Sequence, residues 1–132
     1  MEQKLFLIDG NSLLNRAYYA LPPLTTVHGV PTNAVYGFVT MLYRLLDDYQ
    51  PDKIYVAFDV SGPTFRHQAY EEYKANRKGM PDDLKPQVDL VKSVLDAWGI
   101  ERLELPGYEA DDIIGTTAKK GEAEGYQVYI VT

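Results

Sequence analysis

The sequence predicts a three-layer α/β fold with a mainly parallel sheet. Three observations carry this reading. Four short apolar runs, Lys4–Ile8 (KLFLI), Lys53–Phe58 (KIYVAF), Ile100–Leu105 and Gln127–Val131 (QVYIV), read as strands. They are continuous rather than alternating, the pattern of a sheet covered on both faces. Helical periodicity separates them, and regular alternation of strand and helix builds parallel sheets through crossover connections.

Each element follows from local chemistry. The first strand stops at Asp9-Gly10-Asn11-Ser12, a turn with capping residues, and Leu13–Ala20 reads as a short helix. Pro22, Pro23 and Gly29 break the next stretch into a loop. Thr32 or Asn33 caps a second helix, in which Val35, Phe38, Leu42, Leu45, Leu46 and Tyr49 recur at helical spacing before Pro51. After the second strand, residues 64–78 are polar, aromatic and basic. Asp82 or Asp83 opens a helix with Leu84, Val88, Val91, Val94, Leu95 and Trp98 on one face and Gly99 at its stop. Glu109 or its neighbours open the last helix, which runs to Gly125 before the fourth strand. There is no internal repeat, low-complexity tract or interdomain linker.

Composition narrows the function classes. The 132 residues fit one domain with a real core. No cysteine is present, which excludes disulfides and thiolate metal sites. His28 and His67 have no cysteine companions, so zinc is not expected. No glycine-rich phosphate loop points to a nucleotide or other small-molecule cofactor. The start of the chain shows no signal peptide and no run approaches a bilayer span, so the expected location is the cytoplasm, away from membranes. A net charge of −6 argues against a protein that coats nucleic acid with its whole surface. It is compatible with an enzyme that gathers carboxylates around cations.

The acids are placed for that purpose. Ligands of open parallel sheets bind beyond the carboxyl ends of the strands. Asp9 follows strand one, Asp59 follows strand two, and Glu109, Asp111 and Asp112 follow strand three after a Pro-Gly-Tyr turn. Singly, each has a plainer reading as a turn or helix-capping acid. Jointly, acids at the same end of three successive strands predict one carboxylate cluster. Such a cluster repels itself unless hard cations such as Mg2+ or Mn2+ sit within it. Two ions about 3.5–4 Å apart stabilise both oxygens of a phosphodiester displacement.

The segments IDGNSLLNRAYYA, AVYGF, VAFD, TFRHQAYEEYKANR and PGYEADDIIG resemble the successive motifs of the 5′ nuclease domain of the bacterial DNA polymerase I type, in order and spacing. Flap endonucleases and phage 5′ nucleases of the PIN-like group are the wider relatives. The resemblance implies a PIN-like core and a metal-dependent 5′-3′ exonuclease or flap endonuclease acting on DNA with 5′ single-stranded ends or flaps in replication and repair. By position, Asp9, Asp59, Glu109 and Asp111 match ligands of the first metal, and Asp112 matches an acid at the edge of a two-metal site. The family continues with a short acidic motif and a helix-hairpin-helix module. Residues 1–132 are therefore expected to be the N-terminal part of such a domain, with an incomplete second metal site and weak activity or none.

The resemblance also implies an arch-like segment at about 63–80. The stretch from Pro63 to Lys78, polar and poor in aliphatic core residues, is the expected most mobile part of the chain without DNA. Basic groups bind phosphates and aromatic rings stack on unpaired bases. Lys74 and Arg77 match phosphate-contacting, rate-supporting residues, and Arg66, Tyr70, Tyr73 and Lys78 are candidate DNA contacts. From composition alone this segment also reads as a solvated amphipathic helix. Arg16 and Tyr18, after Asp9, are further candidate DNA contacts, although Tyr18 and Tyr19 equally fit core positions. Two other readings stand beside the nuclease: a catalytically silent DNA- or metal-binding module, and a PIN-type ribonuclease.

Overall fold

The computed structural model describes residues 3–60 and 81–132. Its strands are β1 (Lys4–Asp9), β2 (Lys53–Ala57), β3 (Glu101–Leu103) and β4 (Gln127–Val131). Helices α1 (Gly10–Ala20) and α2 (Asn33–Tyr49) join β1 to β2, α3 (Lys85–Trp98) precedes β3, and α4 (Ala110–Ala123) joins β3 to β4. The sheet runs β3-β2-β1-β4, and every pairing is parallel.

This order explains the layers. The chain steps outward from β1 to β3, then returns past β1 to lay down β4. Crossovers between parallel strands are right-handed. Reversing the direction of travel therefore moves the last helix to the opposite face. The core divides accordingly. Ile8, Val56 and Phe58 pack with Leu13, Leu14, Phe38, Leu42, Val91 and Leu95 beneath α1, α2 and α3. Leu5, Leu7 and Ala57 pack with Ala110 and Ile114 beneath α4. β1 thus serves both faces, which is why it reads as an unbroken apolar run.

Two contacts hold the helical layer. Gly37 of α2 meets α1 so closely that an added Cβ would lie 2.8 Å from the Ala17 Cβ. Thr32 makes no side-chain cap for α2. Instead the buried Gln87 of α3 supplies it, its Oε1 accepting the N–H groups of Ala34 at 2.7 Å and Val35 at 3.1 Å. The Gln87 Nε2 donates to Asn33 Oδ1 and the Asp83 carbonyl, both at 2.9 Å, so the buried amide is satisfied on both sides.

The structure shifts some boundaries. α1 starts at Gly10 rather than Leu13, because Asp9 caps it directly off the strand. α3 starts at Lys85 rather than at Asp82 or Asp83, after a turn closed by Leu84 N–H on the Pro81 carbonyl at 3.0 Å. β3 is three residues long rather than the whole of Ile100–Leu105; Leu105 is half exposed, and Glu104 is held aside by Lys92 and Arg102. Among the described residues no helix is long and apolar enough to cross a membrane.

Candidate active site

The site begins where β1 and β2 end. Asp9 is 6% exposed, and its Oδ1 accepts the Ser12 N–H at 3.1 Å, capping α1. The next residue has room for no side chain. A Cβ on Gly10 would lie 2.6 Å from the Phe58 ring and 2.9 Å from the Ala57 carbonyl oxygen. Glycine therefore lets α1 begin against the end of β2. There the Phe58 N–H bonds the Leu103 carbonyl at 3.0 Å, and the following N–H, of Asp59, goes to Asn11 Oδ1 at 2.8 Å.

The third contribution comes from α4. Asp59 Oδ1 accepts the Ala110 N–H at 2.7 Å, which ties the end of β2 to the first residue of this helix. Glu109 is the N-cap, 6% exposed, in a capping box with Asp112, whose Oδ2 accepts the Glu109 N–H at 3.2 Å. The result is a cavity of about 240 Å3 lined by Asp9, Asp59, Glu109 and Asp111 together with Asn11, Ser12, Asn15 and Ala110.

Its electrostatics are set by crowded acids. Burial, and then the carboxylates of Asp9, Asp59 and Glu109, push the Asp111 carboxyl above its usual range. The positive ends of α1 and α4 offset part of the negative charge. A carboxylate-rich lining with oxygen ligands to offer fits hard divalent cations. Among the described residues no three acids stand as a ready coordination cage. Asp9 and Asp59 direct oxygens at backbone N–H groups instead.

The other sequence candidates separate. Asp112 does not line the cavity; its carboxylate is turned back to cap α4, a role favoured at the third position of a helix. Tyr18 is half-buried against the core, and its hydroxyl donates to Asp83 Oδ1 at 2.6 Å. Tyr19 is 74% exposed and meets Tyr18 edge-on, with ring centroids 4.9 Å apart. Arg16 is exposed and its guanidinium donates to the Thr132 carbonyl at the end of β4. Arg66, Tyr70, Tyr73, Lys74, Arg77 and Lys78, with the whole arch-like segment, lie outside the described residues. Sequence reasoning missed Asn11, Ser12 and Asn15. The available signal was DGNSLLN, which puts Asn11 and Asn15 four apart on the helix leaving Asp9.

The family model described as the 5′-3′ exonuclease, N-terminal resolvase-like domain, matches residues 4–132. The chain belongs to this family. Among its relatives, this 5′-3′ exonuclease N-terminal domain is 55% identical over 130 residues to DNA polymerase I of Mycobacterium bovis, covering 97% of the chain and 14% of that protein. It is 49% identical over 128 residues to DNA polymerase I of Bacillus subtilis, again 97% and 14%. The thermostable DNA polymerase I of Thermus thermophilus is 47% identical over 129 residues, 98% and 16%. The chain thus spans about one seventh of the curated relatives it matches. Its fold is that of the bacteriophage T5 5′-exonuclease with bound zinc, at TM-score 0.69 and 22% identity over 97% of this chain and 48% of that one. The bacteriophage T5 flap endonuclease in a complex with DNA and metal ions gives TM-score 0.67 at 20% identity, with 97% and 48% covered. The exonuclease domain shares the fold of both structures.

Proposed function

We propose that this chain supplies the carboxylate half of a metal-dependent 5′-3′ exonuclease and flap endonuclease site, from a DNA polymerase I-like parent acting in the cytoplasm on DNA with 5′ ends or flaps. One observation carries the reading: Asp9 at the end of β1, Asp59 just past β2, and Glu109 and Asp111 at the start of α4 line one cavity. Membership of the 5′-3′ exonuclease family supports it, as do the phage relatives described with divalent ions and DNA.

Asp9, Asp59, Glu109 and Asp111 would hold Mg2+ or Mn2+, their charge replacing mutual repulsion with attraction. The bound ion supplies positive charge to the oxygens of the phosphodiester displacement. Asp112 acts through Glu109, by holding the N-terminus of α4 in place. Residues 1–132 form the N-terminal part of the nuclease domain in this reading, and about 63–80 its arch. There Lys74 and Arg77 would contact the phosphate and stabilise its developing charge. Arg66, Tyr70, Tyr73 and Lys78 would contact the unpaired strand. Arg16, exposed on α1, stays a candidate DNA contact; Tyr18 becomes a weaker one, because its hydroxyl is engaged by Asp83.

The test titrates the chain with Mn2+ and follows 5′-flap DNA and single-stranded RNA with Mg2+ or Mn2+. Saturable ion binding lost in Asp9→Ala and Asp111→Ala, with any cleavage confined to DNA, is the expected result. Wild-type chain that takes up no Mn2+, or that cleaves RNA in preference, overturns the reading.

A further inference from the structure

We infer that Asn11 is a positioning residue of the ion site: its side-chain amide fixes the backbone of Asp59, and through it the geometry of the carboxylate cluster. The inference rests on the metal-dependent reading above and extends it to a residue that carries no charge.

The backbone of β2 explains why Asp59 needs such support. Sheet pairing between β1 and β2 ends at Asp9 and Ala57. Phe58 is still held, by its N–H on the Leu103 carbonyl at 3.0 Å. At Asp59 a side chain of α1 takes over. Its N–H donates to Asn11 Oδ1 at 2.8 Å, across 48 residues of sequence. The donor is a backbone N–H, so the carbonyl oxygen of the amide must face it. The amide therefore prolongs the hydrogen bonding of β2 by one residue, the one that carries the carboxylate.

Asn11 reaches this position because of its neighbour. Gly10 lets the first turn of α1 lie against Phe58 and the Ala57 carbonyl, where any Cβ would collide. Asn11 also lines the cavity itself. Asp59 is consequently fixed twice, at its backbone by Asn11 and at its carboxylate by the Ala110 N–H. The second contact is one an arriving cation competes for, since it engages a carboxylate oxygen. The first is not. When an ion draws on that carboxylate, the Asn11 contact still keeps the residue aimed into the cavity. Partners that orient metal ligands typically change metal affinity by about 10–100-fold when removed.

Mn2+ alone is the probe, followed by titration and by its electron paramagnetic resonance spectrum. Asn11→Leu and Asn11→Ala remove the acceptor, and at least one should fold. Asn11→Asp keeps an oxygen for the Asp59 N–H. Gln87→Met, at a residue that does not line the cavity, is the control for general destabilisation. The expected result is Mn2+ affinity lower by about tenfold or more in Asn11→Leu and Asn11→Ala, an altered spectrum of the remaining bound ion, and affinity restored in Asn11→Asp. Gln87→Met should bind as wild type does despite its lower stability. Wild-type binding with unchanged affinity in both Asn11→Leu and Asn11→Ala overturns the inference alone. So does Asn11→Asp falling with them. Wild type that binds no Mn2+ overturns the functional reading, and this inference with it.

Discussion

The carboxylate of Asp59 accepts the backbone N–H of Ala110 at 2.7 Å, so an acid two residues past β2 caps the first residue of a helix 51 positions away. The same oxygen is wanted by the helix and by a cation. Asp59→Ala removes a helix-terminal acceptor and should lower stability by about 1 kcal/mol. Asp59→Asn keeps an acceptor and should lose less than half of that. Both should lose Mn2+ binding. Urea denaturation with and without the ion separates the two effects, and equal losses for Ala and Asn would remove the capping role.

Asp111 sets the direction of the pH response. Its carboxyl titrates above the usual range, chiefly through burial and then the neighbouring carboxylates. A folded pKa raised above the unfolded value means stability is fully present below the unfolded pKa, about 3.9, and is lost as pH rises through the folded pKa. In ion-free buffer Asp111→Asn should therefore be more stable than wild type near neutral pH and equal to it at low pH. Added Mn2+ should reverse the order at neutral pH. Thermal melts from acid to neutral pH check this; an advantage for Asn that grows toward low pH would contradict the sign.

Gln87 should matter more than its chemistry suggests. Gln87→Met preserves volume but leaves the N–H groups of Ala34 and Val35 without their acceptor. Burying unmet polar groups costs about 1–3 kcal/mol. A loss of about 2 kcal/mol in urea, with amide exchange faster at the start of α2, is expected. A change below about 0.5 kcal/mol would place the cap elsewhere.

Tyr18 should lose its proton later than an ordinary phenol. The hydrogen bond to Asp83, assisted by desolvation and the nearby charge, pushes it up to about 12. Asp83→Asn removes the charged acceptor and should return it toward about 10. Ring-carbon chemical shifts of labelled tyrosine against pH give the comparison.

The sheet was legible because β1 and β2 are buried on both faces and so read as unbroken apolar runs. The positions of Asp9 and Asp59 were legible for a related reason: in a parallel sheet the residue after each strand lies on one edge. Asp112 was harder. Three acids in EADD look alike in sequence, and only the local geometry of α4 turns Asp112 back onto Glu109 while Asp111 faces the cavity. Asn11 was invisible as a site residue because its partner lies 48 positions away. β3 was overextended because Glu104 and Leu105 continue a plausible strand, whereas ion pairs with Lys92 and Arg102 draw Glu104 out of it.

The reversed step between β3 and β4 carries a consequence for the order of folding. Asp59 meets Asn11 and Ala110 through contacts spanning 48 and 51 residues. Closing such long loops is entropically costly and slow. Local structure holds only Glu109 and Asp111, two of the four acids, at the start of α4, so a partly folded chain offers an ion an incomplete site. Uptake of the ion after refolding is then a clock for the docking of α1, β2 and α4, and should lag behind the appearance of helix.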